Sequence, residues 1–227
     1  MNDSRGNYLK AIYEECKSNP DRIATNRALA EKLNVSPASI SEMISKFTEL
    51  GLTENIPYKG FKLTQIGIKE CVKIIRSHRL WEVFLIKCLN YTWSEAHEDA
   101  HLLEHATTER MINRLDEFLN YPEYCPHGCK IPKLENYSKE EYESVIEDAL
   151  ITLNMLNVNS KGIISKIIED SKLLDYLWDL GLEIGKEVCI IAKGDYEGPI
   201  TLIQDGKEFS ISYKATTQIF VKSVGVY

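Results

Sequence analysis

Residues 24–52, "ATNRALAEKLNVSPASISEMISKFTELGL", spell two short helices with a tight break between them. Thr25 can cap the first, whose apolar side is Leu29, Ala30 and Leu33, and Asn34 with Val35 makes the turn. Ser36 then caps a second helix that has Pro37 at its first position, where a missing N–H costs nothing. Ile40, Met43, Ile44 and Phe47 give this helix one buried face, and Gly51 is a good left-handed stop. Its other face carries Ser39, Ser41, Glu42, Ser45 and Lys46. This is helix-turn-helix spacing, in which the second helix enters the major groove of DNA with its N-terminal residues at base edges and phosphates.

Past Gly51, "LTENIPYKGFKLTQIG" offers two short strands about Tyr58-Lys59-Gly60, a basic hairpin wing, and Thr64 can cap the next helix. The wing separates a winged helix-turn-helix from a helical hairpin with a solvated face, since a bare hairpin has no use for it. The candidate DNA-facing residues are Arg27, Ser36, Pro37, Ala38, Ser39, Ser41, Glu42, Lys46 and Lys59. Charge agrees with this placement. Residues 1–76 hold 12 Lys+Arg against 9 Asp+Glu, whereas the remainder holds 15 against 25, so only the N-terminal third is drawn to phosphates within a chain of net charge −7.

From Thr64 a long amphipathic helix carries Ile66, Cys71, Ile74, Ile75, Leu80, Phe84 and Leu85, with His78 and Glu82 one turn apart on one face. A further helix starting at Ser94 sets His97, His101, Glu104, His105 and Thr108 in one stripe. Imidazoles and carboxylates offered by two helices are how metal sites are built in helical bundles. Four of the chain's five histidines fall within residues 78–105; the fifth, His127, lies in "YCPHGCKIP", where Cys125, His127 and Cys129 sit at metal-ligand spacing on a compact Pro-Gly turn.

The stripe also contains a literal HExxH, His97 to His101, the mark of zinc peptidases in which Glu98 would be the general base. Catalysis there also needs an open coordination position in a substrate cleft, and nothing else in the chain supplies one. A peptidase leaves the upstream DNA-binding module unexplained. Two alternatives stay beside a metal-dependent regulator: a zinc peptidase, in which Glu98 is essential, and a winged-helix regulator that senses something other than metal.

A chain of 227 residues with 44% hydrophobic content exceeds one typical domain and supports two or three small cores. No apolar run of 18 residues exists and "MNDSRGNYLK" lacks the apolar core of a signal peptide, so a cytoplasmic protein without a membrane partner is expected. The six cysteines are scattered, which predicts reduced thiols.

The order of winged helix, "SHRLWEVFL", "AHEDAHLLEH" and "CPHGCKIP" resembles the iron- and manganese-dependent repressors of the diphtheria toxin repressor family, DtxR or MntR. "LLDYLWDLGLEIGKEVCII" and the strand-like runs after it are similar to the Src-homology-3-like, FeoA-type barrel of many members. The resemblance implies a mainly α fold with a small β component: a winged helix-turn-helix over 1–76, a helical metal-binding and dimerisation domain over 77–147, and a FeoA-like β-barrel over 148–227. It implies a homodimeric, non-enzymatic repressor that binds a DNA operator when metal is plentiful and controls metal-uptake genes.

Carried over by position, the regulatory metal site would use Asn7, His101, Glu104 and His105. A second would use His78, Glu82 and His97, or Glu82, Cys125 and His127, completed by Glu169 or Asp170. The family more often has Asp or Met where Asn7 stands and Glu or Cys where His101 stands, and the acidic residue some members place three positions on is Lys10 here. With Glu104 the one anionic ligand assigned to the regulatory site, Fe(II) is expected to outrank Mn(II), with Zn(II) and Co(II) able to replace it in vitro.

Overall fold

The structure, a computed structural model, describes residues 3–133 and 150–226. The boundary expected at 147/148 lies outside the described residues. Contacts divide the chain into two units; the first comprises the chain through His78 together with Leu102–Thr108, and the second Arg79–His101, Glu109–Ile131 and the C-terminal segment.

In the first unit, α1 (Asp3–Ser18) precedes α2 (Asn26–Leu33) and α3 (Pro37–Glu49), followed by the hairpin β1 (Thr53–Ile56) and β2 (Gly60–Leu63). The local signals act as the sequence predicts. Thr25 Oγ1 accepts from the Ala28 amide at 3.2 Å, Asn34 ends α2 in the left-handed region at φ 51°, and Ser36 Oγ accepts from the Ser39 amide at 3.1 Å. Leu29, Ala30, Ile40, Ile44 and Phe47 are buried and Met43 half-buried, joining Leu9 and Ile12 of α1 in the core. Each such fully buried side chain contributes about 1.5–3 kcal/mol. The Cys71 thiol donates to the Leu9 carbonyl at 3.0 Å and ties α1 to the helix that follows the hairpin. Arg27, Ser36, Pro37, Ala38, Ser39, Ser41, Glu42, Lys46 and Lys59 are all exposed, as DNA-facing residues have to be.

Two helices run through both units. α4 (Gln65–Leu89) is capped by Thr64, whose Oγ1 accepts from the Gly67 amide at 3.1 Å, and α5 spans Trp93–Ala106. Two local expectations for α5 need correction. Its cap is Thr92, which exchanges hydrogen bonds with Glu95 (Thr92 amide to Oε2, 2.8 Å; Glu95 amide to Thr92 Oγ1, 3.4 Å) in a capping box. Ser94 instead hydrogen-bonds the Asp175 carboxylate. The helix also stops at Ala106, so Thr108 leaves the histidine stripe.

The second unit continues with α6 (Glu109–Phe118), then β3 (Ile151–Thr152), β4 (Ser160–Ile167), α7 (Ser171–Leu180), β5 (Glu187–Lys193), β6 (Ile200–Gln204), β7 (Lys207–Ile211), the single turn α8 (Tyr213–Thr216) and β8 (Ile219–Val226). The strands form one antiparallel sheet in the order β3-β8-β4-β5-β6-β7, with register shifts in the β4–β8 pairing that mark bulges and bend the strand. Ile164, Ile167, Leu174, Leu177, Val188, Ile190, Leu202 and Val221 fill its apolar core. Here the sheet is Src-homology-3-like, but its order is linear, so among the described residues β3 and β7 remain edges where a closed barrel would pair them. All six cysteines are free thiols.

Candidate metal centre

Glu104 organises the first cluster. Its side chain is 0% exposed, and three cationic or imidazole groups meet it: His78 Nδ1 at 2.7 Å, His105 Nε2 at 3.1 Å, and the Lys10 ammonium at 3.2 Å from Oε1 and 3.0 Å from Oε2. Asn7 Oδ1 on α1 stands 3.2 Å from His105 Nε2. His101, Glu104 and His105 occupy positions i, i+3 and i+4 of α5, which brings their ligand atoms within 4.8 Å of one another. Burial pushes the Glu104 carboxyl up, but the His78 hydrogen bond and the Lys10 charge outweigh it and hold the group below its ordinary range.

The second cluster lies wholly in the second unit. Ligand atoms of Glu82 on α4, Cys125 and His127 on the Cys-Pro-His-Gly-Cys turn, and Glu169 just past β4 fall within 4.8 Å of one another. His97 Nδ1 of α5 stands 3.1 Å, and His127 Nδ1 3.2 Å, from Glu82 Oε1. The turn is held by the Cys125 amide donating to the Cys129 carbonyl (2.8 Å) and the Gly128 amide to the Cys125 carbonyl (3.0 Å), and the Ile167 amide of β4 donates to the His127 carbonyl at 3.1 Å. Arg79 Nη1 adds a bond to the Lys130 carbonyl at 2.6 Å. Gly128 has φ +78°, and a Cβ there would overlap the Ser165 carbonyl oxygen, so only glycine lets the turn lie this close to β4.

Both donor sets fit a divalent ion. In the second, two carboxylates converge with a thiol, and the fully buried His127 imidazole leaves Nε2 without a hydrogen-bond partner among the described residues. Burial works against the charged form of His127, yet the Glu82 and Glu169 carboxylates raise it. Burial, the Cys129 thiol and Glu82 push the Cys125 thiol well up; a cation would reverse that by holding the thiolate.

Of the two barrel carboxylates expected near this cluster, Glu169 is drawn in and Asp170 is not. Asp170 caps α7, accepting from the Leu173 amide at 3.0 Å, and a cap so used is spent on the helix. His78, one turn before Glu82 on α4, belongs with Glu82, His97 and Glu169 to a group whose ligand atoms also lie within 4.8 Å of one another, and its Nδ1 meets Glu104 as well. Two residues escaped sequence reasoning as parts of this site. Lys10 counted only as a departure from an acidic position, and Gly6 did not count at all; a Cβ on Gly6 would overlap the His105 ring. A glycine inside a helix is the available signal, because it costs about 1 kcal/mol relative to alanine unless something approaches closely.

Three family descriptions match the chain: the iron dependent repressor N-terminal DNA-binding domain over residues 1–61, the iron dependent repressor metal binding and dimerisation domain over 64–133, and the FeoA domain over 151–223. The crystal structure of ScaR with bound Cd2+ is 32% identical and covers 97% of this chain and 99% of its own, at a TM-score of 0.77. The chain belongs to the diphtheria toxin repressor family of metal-dependent transcriptional repressors. A manganese-dependent transcriptional repressor in complex with manganese is similar over 96% of this chain and 99% of its own, at 29% identity and a TM-score of 0.82. The diphtheria toxin repressor of Corynebacterium glutamicum is 26% identical over 92% of this chain and 91% of its own.

The repressor therefore carries a DNA-binding domain, a metal-binding and dimerisation domain and a FeoA domain, acts on operator DNA as a homodimer and is not an enzyme. Neither the peptidase nor the metal-independent regulator finds support. Glu98 is exposed, and the imidazole of His97 is engaged by Glu82. No described helix is long and apolar enough to cross a membrane.

Proposed function

We propose that this repressor controls metal-uptake genes from the cytoplasm, with Asn7, His101, Glu104 and His105 as its regulatory ligands and His78 beside them. Glu82, Cys125, His127 and Glu169, with His97, are the second set. The supporting observation is that Asn7 of α1, the first helix of the DNA-binding domain, meets His105 of α5, which in turn meets the buried Glu104 carboxylate. A divalent ion there supplies the positive charge that lets a carboxylate, imidazoles and an amide oxygen share close quarters. Asn7 and Glu104 then fix α1 against the last turn of α5, and with it the angle at which α3 is presented. DNA binding tightens with metal, and by reciprocity metal binding tightens on DNA. The second set ties α4, the Cys-Pro-His-Gly-Cys turn and the end of β4 together and serves rigidity within its unit.

The regulatory donors include one carboxylate, Glu104; Asn7 supplies a neutral oxygen and His101 and His105 supply nitrogens. Hard Mn(II) prefers carboxylate and water oxygens, whereas imidazole suits Fe(II) and later metals, so Fe(II) outranks Mn(II) as activator and Zn(II) or Co(II) replaces it in vitro. The test titrates binding to a metal-transporter promoter with Fe(II), Mn(II), Zn(II) and Co(II) under anaerobic, reducing conditions. Asn7→Asp with His101→Glu is expected to move activation toward Mn(II). A wild type that responds at lower free Mn(II) than Fe(II) overturns the preference, and one indifferent to every metal overturns the function.

On the recognition helix, Ser39 and Ser41 are exposed in the first two turns, Ser41 Oγ donating to the Pro37 carbonyl at 3.0 Å and accepting from Asn26 at 2.9 Å. Lys46 and Arg27 make exposed ion pairs with Glu42 and Glu31, of a kind worth about 0–1 kcal/mol, so exchanging those partners for phosphates costs little. Ser39→Ala with Ser41→Ala is expected to weaken operator binding by roughly 1–3 kcal/mol. Metal affinity should be retained. Unchanged operator affinity in a gel-shift titration would place a different helix in the groove.

A further inference from the structure

Every close approach to Glu104 described above is a candidate metal ligand, with one exception. Lys10 sits three residues after Asn7, on the same face of α1, and its ammonium bridges both carboxylate oxygens at 3.2 and 3.0 Å. Glu104 is fully buried while the Lys10 side chain is 17% exposed, so the lysine keeps partial access to water and the carboxylate has none. We propose that Lys10 is a built-in competitor for the regulatory metal: a divalent ion can take Glu104 only by displacing this ammonium, and Lys10 thereby sets the metal concentration at which the repressor switches.

The inference rests on Glu104 being a regulatory ligand and adds what opposes the metal there. A lysine ammonium and a divalent ion on one carboxylate repel each other strongly where water is excluded. One must leave, and Lys10 can. Its charge is a compact point on a flexible four-carbon stem, able to turn to solvent while the methylenes stay on apolar surface. The exchange also happens on α1. Giving up Lys10 frees the helix from its own ion pair with α5 at the moment Asn7 becomes the link between them, so a site with a single carboxylate is kept from binding metal too readily. An arginine here would hold the carboxylate as a bidentate fork and yield it less easily.

The experiment measures Mn(II) binding to the full-length protein by the electron paramagnetic resonance of free Mn(II). A Glu82→Gln background keeps the second cluster out of the titration. Lys10→Ala is expected to tighten Mn(II) binding about tenfold or more, and Lys10→Arg to leave it equal or weaker. Lys10→Leu, which keeps the apolar stem, serves where alanine impairs folding. A purely structural ion pair predicts the opposite, with neutral variants losing metal affinity together with thermal stability. Neutral variants that bind Mn(II) no better than the parent, or an arginine variant that tightens as much as alanine, overturn the proposal. Adding Glu104→Gln separates the two levels: if it leaves Mn(II) binding unchanged, the regulatory site itself is misassigned, whereas loss of binding there with no effect of Lys10→Ala removes only the competitor.

Discussion

Glu104→Gln is expected to abolish metal-activated operator binding, with regulatory metal affinity falling by a factor of about one hundred or more. The glutamine keeps shape and hydrogen-bonding reach and removes only the charge. That charge is buried at 0% exposure and faces Lys10, His78 and His105, so its loss leaves a half-buried ammonium without its counter-ion and the cluster without an anionic ligand. Removing one partner of a buried ion pair costs about 3–5 kcal/mol, an upper guide here because Lys10 keeps partial access to water. Titrating operator binding with metal, and checking the fold by circular dichroism, separates loss of switching from loss of structure. Acidification gives a second arm. A carboxylate held below its ordinary value of 4.5 contributes stability that is present above that value and is lost as pH falls through the lower folded value. The wild type is therefore expected to lose its advantage over Glu104→Gln below pH 4.5. An advantage that persists in acid would mean that the ion pair is not its source.

Gly128→Ala is expected to be the most destabilising change at the second cluster, by about 3 kcal/mol, and to release one equivalent of metal. Two costs coincide: alanine in the left-handed region at φ +78°, and a Cβ driven into the Ser165 carbonyl oxygen, which is backbone and cannot rotate away. The turn has to lift from β4, carrying Cys125 and His127 away from Glu82 and Glu169. Gly181 is the control. It ends α7 at φ +76° with nothing within 4 Å of an added Cβ, so Gly181→Ala should show the backbone cost alone, roughly 1 kcal/mol. Urea midpoints and metal stoichiometry measured on both variants decide it; equal losses would mean that the contact with Ser165 carries no weight.

The sequence was legible wherever the backbone's own period or a neighbouring side chain decides the outcome. Thr25, Ser36 and Thr64 cap the helices they precede, Asn34 makes the turn, and the two short strands about Tyr58-Lys59-Gly60 become the wing, because each signal acts within three or four residues. The same locality produced the two misreadings on α5. Thr92 and Ser94 are both good caps by type, and the choice fell to Thr92 once Ser94 found Asp175, 81 residues away. Helical spacing likewise put His101, Glu104 and His105 on one stripe, since positions three and four apart share a face whatever surrounds them.

By itself, then, the chain determined its helices, its wing, its candidate DNA-facing residues and the stripe of donors on α5. Tertiary structure alone decided which donors meet. It brought Lys10 to Glu104 across 94 residues of sequence and seated Gly6 under the His105 ring. It also chose Glu169 for the second cluster while spending the adjacent Asp170 on a helix cap. Sequence spacing cannot carry such information: a carboxylate's partner is set by which charges burial leaves within a few ångströms of it, and that proximity exists only once the apolar cores have closed and excluded the water that would otherwise solvate each group alone.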